Sequence, residues 1–286
     1  MEPTSAEPHA AEVERWREGR YARLREPMSW LTLVGLEWLK EGDNRLGSGP
    51  DADLRVPSGP VLAGNLIRRG RDVTAHAVPG GRLTHDGAEA DGLPLVSDED
   101  APEGTEPTIL ELGGLRMVLI RRGERLGLRI WDTDAAARRE FAGIPHYPVD
   151  PAWRVSAHFE PGAAGETFAV PDVLGEVEDE PLPGTVVLEM GGATHRIKAL
   201  EGGPAGELWL VFGDATNRDT TYSGGRFLYT DPPDGDGTVI VDFNRSYNPP
   251  CVFSPHATCP LPPPENRLAV RIEAGEQYPL NDRNRR

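Results

Sequence analysis

Thiols and imidazoles are the side chains best suited to chemistry near neutral pH, and one short loop holds Cys251, His256 and Cys259. The spacing Cys-x4-His-x2-Cys offers three soft ligands. A zinc site needs four in a tetrahedron. The chain has 2 cysteines, and the next histidine, His195, is far away in sequence. No metal site is expected. A Cys251–Cys259 disulfide is open geometrically, and two packed thiols are the ordinary alternative. A nucleophilic thiol would need a base, and His256 is the candidate beside it.

A second group is polar. Asp214, Thr220, Tyr222, Arg226, Asp242, Asn244, Tyr247, Asn248, Glu265 and Asn266 crowd around this loop. Arg226 is suited to a ligand carboxylate or phosphate. Tyr247 and Asn248 would orient such a ligand, with Asn244 and Asn266 as further contacts. Asp242 or Glu265 would serve as general base if its pKa were raised. The competing reading is structural. Asp and Asn satisfy free backbone groups in Pro-rich turns, and Arg226 could pair with Asp242 across strands.

Other chemistries lack their motifs. Ser223-Gly224-Gly225 only echoes the Gly-x-Ser-x-Gly elbow, and Ser254 and His256 are too close in sequence to imply a triad. Glycine-rich nucleotide loops and His-Glu-x-x-His are missing. No cofactor is expected. A formal net charge of -16, without a run of interleaved basic and aromatic residues, argues against nucleic acid. Trp30–Leu39 is the best apolar run, and it is shorter than the roughly 20 residues that span a bilayer. Met1–Ala11 is acidic and lacks the order of a secretion signal, so a cytosolic protein with no membrane partner is expected.

The elements that must position these residues read as β. Glycine (33) and proline (28) punctuate short apolar runs, as turns do in an all-β fold. Residues 1–9 read as a tail. Val13, Trp16, Tyr21 and Leu24 form one helical stripe over Ala10–Arg25, which Pro27 ends. A first β unit over 28–131 takes strands at 53–56, 64–68, 72–78, 108–112, 115–121 and 126–131, with Glu41–Asn44 as a turn. Asp132–Phe141 reads as a short capped helix, and 144–151 as an extended Pro-rich connector. A second β unit over 153–286 takes strands at 154–159, 167–170, 184–190, 194–199, 207–212, 226–229 and 238–243. Gly191-Gly192 makes a hairpin turn, and Leu208–Phe212 is read as a central strand. Seven prolines between Pro249 and Pro264 exclude a helix or central strand there. With Tyr247, Phe253 and Leu261 inside it, this stretch reads as a stiff loop packed on the sheet.

Two resemblances add to this reading. Asn44–Pro57 is similar to the opening of a forkhead-associated domain at the level of fold. Ser48 stands where the phosphate-holding arginine would be and no Ser-x-x-His follows, so phosphopeptide binding is not implied. Over nearly the whole chain the sequence resembles domain-of-unknown-function family 1684. The resemblance rests on Tyr247-Asn248-Pro249-Pro250-Cys251, Cys259-Pro260-Leu261-Pro262-Pro263 and Gly225-Arg226-Phe227-Leu228. Trp30-Leu31-Thr32-Leu33-Val34-Gly35-Leu36 and Arg138-Arg139-Glu140-Phe141 extend it. It implies a mostly bacterial, soluble, β-rich protein and supplies no activity, cofactor or catalytic residue.

The fold expected is therefore all-β: two β units, sandwich or partly open barrel, with an N-terminal helix and a short bridging helix. The function expected is binding of a small polar or anionic molecule beside the C-terminal loop, in a protein that could be an enzyme. The alternative is a protein-interaction module whose C-terminal loop is purely structural.

Overall fold

The computed structural model describes residues 8–278. The chain is mostly β, and its residues divide between two compact units. The first comprises Arg23–Phe141 with Ser254–Ala257. The second comprises the chain up to Ala22 together with 142–253 and the stretch from Thr258 onward. The N-terminal helix, His9–Leu24, therefore lies mainly in the second unit.

The first unit is two facing sheets. One has five strands in the order Leu54–Arg55, Gly42–Gly47, Gly64–Arg69, Asp72–Ala77, Leu93–Pro94. The other has six, in the order Leu33–Trp38, Arg125–Asp132, Leu115–Arg122, Ile109–Leu112, Thr84–His85, Ala88–Glu89. The period-two alternation builds the core. Leu115, Met117 and Leu119, with Leu126, Leu128 and Ile130, meet Leu46, Leu66, Val73 and Ala75 from the opposite sheet. The turn expected at Glu41–Asn44 is shorter: Glu41 bends, Gly42 has φ +87°, and the strand Gly42–Gly47 already includes Asp43 and Asn44. Asn44 is buried. Its amide nitrogen donates to the carbonyls of Lys40 (2.9 Å), Gly42 (3.0 Å) and Leu66 (3.2 Å), and its oxygen accepts from Lys40 N (2.9 Å). A turn-favouring side chain here joins neighbouring backbones instead.

The expected helix at 132–141 shortens to one turn, Ala136–Arg139, and has no side-chain cap. Asp132 instead accepts from the Asp134 amide at 3.0 Å, an Asx turn that competes with capping.

In the second unit a four-stranded sheet runs Ala193–Lys198, Gly184–Met190, Arg154–Pro161, Thr238–Asp242. A three-stranded sheet runs Leu200–Glu201, Leu208–Phe212, Arg226–Thr230, and Thr167–Pro171 pairs with Val177–Pro181 as a ribbon. Leu208–Phe212 is the middle strand of its sheet. Leu208, Leu210, Phe212 and Leu228 face a core shared with Val186, Leu188, Ile197, Val239 and Val241. The residues alternating with them, Trp209, Phe227 and Tyr229, lie on the other face. The turn at 191–192 has positive φ at both glycines (62° and 77°), as a two-residue hairpin with right-handed strand twist requires.

Gly225 leads into the Arg226 strand at φ +94°. A Cβ there would sit 2.4 Å from Pro262 Cγ and 2.8 Å from the Phe212 carbonyl oxygen. Gly165 has φ +76° with open space around it. Gly225→Ala is therefore expected to cost about 3 kcal/mol or more, and Gly165→Ala about 1 kcal/mol. Urea denaturation of the two variants checks the difference.

Candidate functional site

Arg226 opens its strand opposite Phe212, on the inward face. It is fully buried, with its guanidinium 5.2 Å from the Phe212 ring centroid. Nη2 donates to Asp214 Oδ2 (2.9 Å) and to the Ile272 carbonyl (3.0 Å), and Nη1 donates to the Ala274 carbonyl (2.6 Å). Asp214 is held equally well. It accepts from the Ile272 amide (2.7 Å) and the Thr216 hydroxyl (2.7 Å), which in turn meets Thr221 at 2.8 Å. Burial pulls the Arg226 pKa down, and the Asp214 carboxylate opposes that pull. The partner is thus Asp214 rather than Asp242; both Nη nitrogens are bonded within the fold, and Nε is buried with no partner among the described residues.

The other sequence-selected residues fall into separate networks. Asn244 is buried; its amide nitrogen donates to the Asp150 carbonyl (2.9 Å) and Asp242 Oδ1 (2.9 Å), and its oxygen accepts from Asp150 N (3.0 Å). Asp242 caps the short helix Phe243–Arg245 through the Asn244 amide, and its Oδ2 lies 2.7 Å from His9 Nε2. Asn266 is buried between strands, bonded to both backbone groups of Lys198 and to the Val211 carbonyl. Glu265 is exposed and sits 3.2 Å from Lys198 Nζ. Its own backbone amide and then Lys198 hold its carboxyl below the ordinary value. A general base needs the opposite shift.

Tyr247 and Asn248 leave the chain on different sides. Tyr247 exchanges backbone hydrogen bonds with Phe227 at 2.9 and 3.0 Å and lies on the outer face of the three-stranded sheet. Its ring is parallel to that of Tyr229 (centroids 6.1 Å, 9°), which is parallel to Trp209 (5.9 Å, 12°). Phe227 meets Tyr247 edge-on, and Trp16 closes one side at 6.3 Å. Burial raises the Tyr247 pKa well above its ordinary value, so the hydroxyl stays protonated. Trp209 Nε1 is buried and meets no hydrogen-bond partner of normal geometry among the described residues, and Tyr229 is 49% exposed. Asn248 is fully buried. Its amide nitrogen donates to the Gln277 carbonyl (3.0 Å), while its Oδ1 has no partner among the described residues. Arg226 inside, Tyr247 outside and Asn248 toward the C-terminal segment do not converge on one pocket.

Two residues that the sequence reading did not select connect this region. The Arg20 guanidinium lies 4.5 Å from the Tyr247 ring centroid, donates to the Asn248 carbonyl (3.0 Å) and forms a two-point pair with Glu276. Glu276 is fully buried and also accepts from the Asn248 amide at 2.7 Å. Arg20 is four residues after Trp16, on the same helical stripe, and that spacing was the available signal. His146 is a third. Its Nδ1 lies 2.7 Å from the Ile144 carbonyl and 3.3 Å from the Tyr21 hydroxyl. Burial first, and then Arg17, lower its pKa to about 4.

Cys251 and Cys259 are joined in a disulfide, with Cα atoms 6.4 Å apart. The expectation of packed thiols gives way to this pairing, which removes the nucleophile that His256 would have served. Disulfides persist in oxidising compartments, so the pairing bears directly on the expected cytosolic location. Among the described residues no helix is long and apolar enough to cross a membrane, and no cluster of three or more His, Cys, Asp or Glu side chains could hold a metal ion.

The fold and this region define a mostly β protein whose C-terminal half is knit together by buried polar pairs. Residues 139–277 match the model of the family described as "Protein of unknown function (DUF1684)". A solution NMR structure of an uncharacterized protein of Haloarcula marismortui is similar at 27% identity, over 51% of this chain and 81% of that one, with a TM-score of 0.42. No curated protein matches the chain.

Two outcomes follow from the buried groups. Asp214→Asn leaves the Arg226 charge uncompensated and is expected to cost about 3–5 kcal/mol in chemical denaturation. His146 has a folded pKa of about 4 against 6.5 for an ordinary histidine. The unfolded chain therefore binds more protons between these values, and stability contributed by neutral His146 is present above about pH 6.5 and lost as pH falls toward 4. His146→Gln should flatten that part of a stability–pH profile relative to wild type.

Proposed function

We propose that the protein binds a small polar molecule bearing a ring, stacked on the outer aromatic face of the three-stranded sheet beside the signature loop. The observation that carries this reading is the parallel row Trp209–Tyr229–Tyr247 with Tyr229 half exposed. Flat ring faces bind other rings, and the tyrosine hydroxyls supply polar contacts at the edge. The anionic preference expected from Arg226 finds less support. Arg226 is neutralised by Asp214 and Arg20 by Glu276, and the net charge of -16 repels anions. In this reading Arg226, Asn244, Asn248 and Asn266 form the framework behind the site. Asp242 and Glu265 take no proton-transfer role in it.

A second reading, an interaction module with a purely structural C-terminal loop, is favoured by one observation: the side chains of Arg226, Asn244 and Asn266 are bonded to the protein's own backbone. A thermal-shift screen of small metabolites separates the two. Ring-bearing compounds should stabilise wild type, by about 2.7 kcal/mol at a hundredfold excess over Kd. Tyr229→Ala should remove about 1–3 kcal/mol of the binding energy. If every stabilising compound acts on Tyr229→Ala as it does on wild type, the aromatic face is not the site.

A further inference from the structure

The outer face of the Gly64–Arg69/Asp72–Ala77 hairpin, in the first unit, holds a shallow cavity of about 160 Å³ lined by Ile67, Arg69, Asp72, Thr74 and His76. These residues share one face because the strands pair Arg69 with Asp72 and Ile67 with Thr74. Leu66, Val73 and Ala75, which alternate with them, face the core. Opposite charges placed directly across an antiparallel pair ordinarily bond to each other. Arg69 and Asp72 do not: neither side chain makes a hydrogen bond or ion pair with any described residue. The neighbouring arginine, Arg68, is by contrast fully engaged, with the carbonyls of Leu39, Gly70 and Glu124. His76 is oriented by Asp91, 3.1 Å from Nδ1, which leaves Nε2 available.

We infer that this groove binds a small zwitterion of the amino-acid class, its carboxylate on Arg69 and its ammonium on Asp72. A ligand of one charge would meet one partner and one like charge. A zwitterion satisfies both, and being neutral overall it is not repelled by the charge of -16. Ile67 supplies an apolar floor for a short side chain, and the Thr74 hydroxyl and His76 Nε2 supply further polar contacts. At about 160 Å³ the groove is smaller than sites that take drug-sized ligands, which suits a ligand of a few heavy atoms.

Backbone amide NMR with L-alanine as probe tests the inference, with acetate and methylammonium as single-charge controls at equal concentration. The expected result is saturable shifts confined to residues 67–76 with alanine and much weaker ones with either control. Arg69→Gln and Asp72→Asn should each weaken alanine binding about tenfold or more. Both positions are exposed, so the fold should carry the substitutions. Equal shifts with acetate would show an anion site only and overturn the zwitterion. Shifts outside 67–76, or affinity unchanged in both variants, would overturn the site itself. The readout is residue by residue, so its failure leaves the aromatic-face reading standing, and the converse holds.

Discussion

Arg226 keeps a positive charge where no solvent reaches it. Desolvating a guanidinium costs several kcal/mol, and one carboxylate offsets that only when the remaining donors also find partners. Asp214 supplies the counter-charge, the carbonyls of Ile272 and Ala274 take further Nη hydrogens, and Nε is buried with no hydrogen-bond partner among the described residues. The C-terminal segment is therefore more than an appendage to the sheet. It contributes three of the hydrogen bonds that solvate the buried ion pair, and it adds Glu276, on which Arg20 and the Asn248 amide depend in turn. Removing any one of these groups strands another in a place without water.

The strands of the second unit were legible because their apolar residues alternate between glycine and proline punctuation. Gly184–Met190 was bounded correctly at both ends, and Gly191-Gly192 marked its turn. The polar residues were legible as a cluster but not as partners. Arginine is ordinarily a surface residue, so Arg226 beside a rigid loop reads as a ligand contact. Choosing between Asp214 and Asp242 as its partner requires the three-dimensional path of the chain. Asn44 was read only in part for a related reason, because its bonds to Lys40 and Gly42 are local and its bond to the Leu66 carbonyl is not. The disulfide turned on compartment as much as on spacing. The aromatic row was hidden in plain alternation: Trp209 and Tyr229 occupy the outward positions of strands recognised by their inward ones.

The face opposite the core of the three-stranded sheet shows how little polar chemistry is left uncommitted in this half of the molecule. Phe227 and Tyr247 are packed under Trp16 and Arg20, while Tyr229 projects beyond them. A sheet face bearing a stacked row of rings gains cross-strand stability from the same contacts that would hold a ligand. Stability and recognition therefore draw on one set of side chains.

The Arg20–Glu276 pair spans 256 residues of sequence. During synthesis, at about 5–20 residues per second, the helix around Arg20 leaves the ribosome at least ten seconds before its partner exists. Until then its aromatic stripe has neither Tyr247 nor the carboxylate to settle against. The strands of the first unit, by contrast, all lie between Leu33 and Asp132 and can pair early. The second unit thus carries its amino-terminal helix as an open thread until the last stretch arrives. This long-range closure is slow by its topology, and it is the stage at which a chaperone holding exposed tryptophan would have the most to cover.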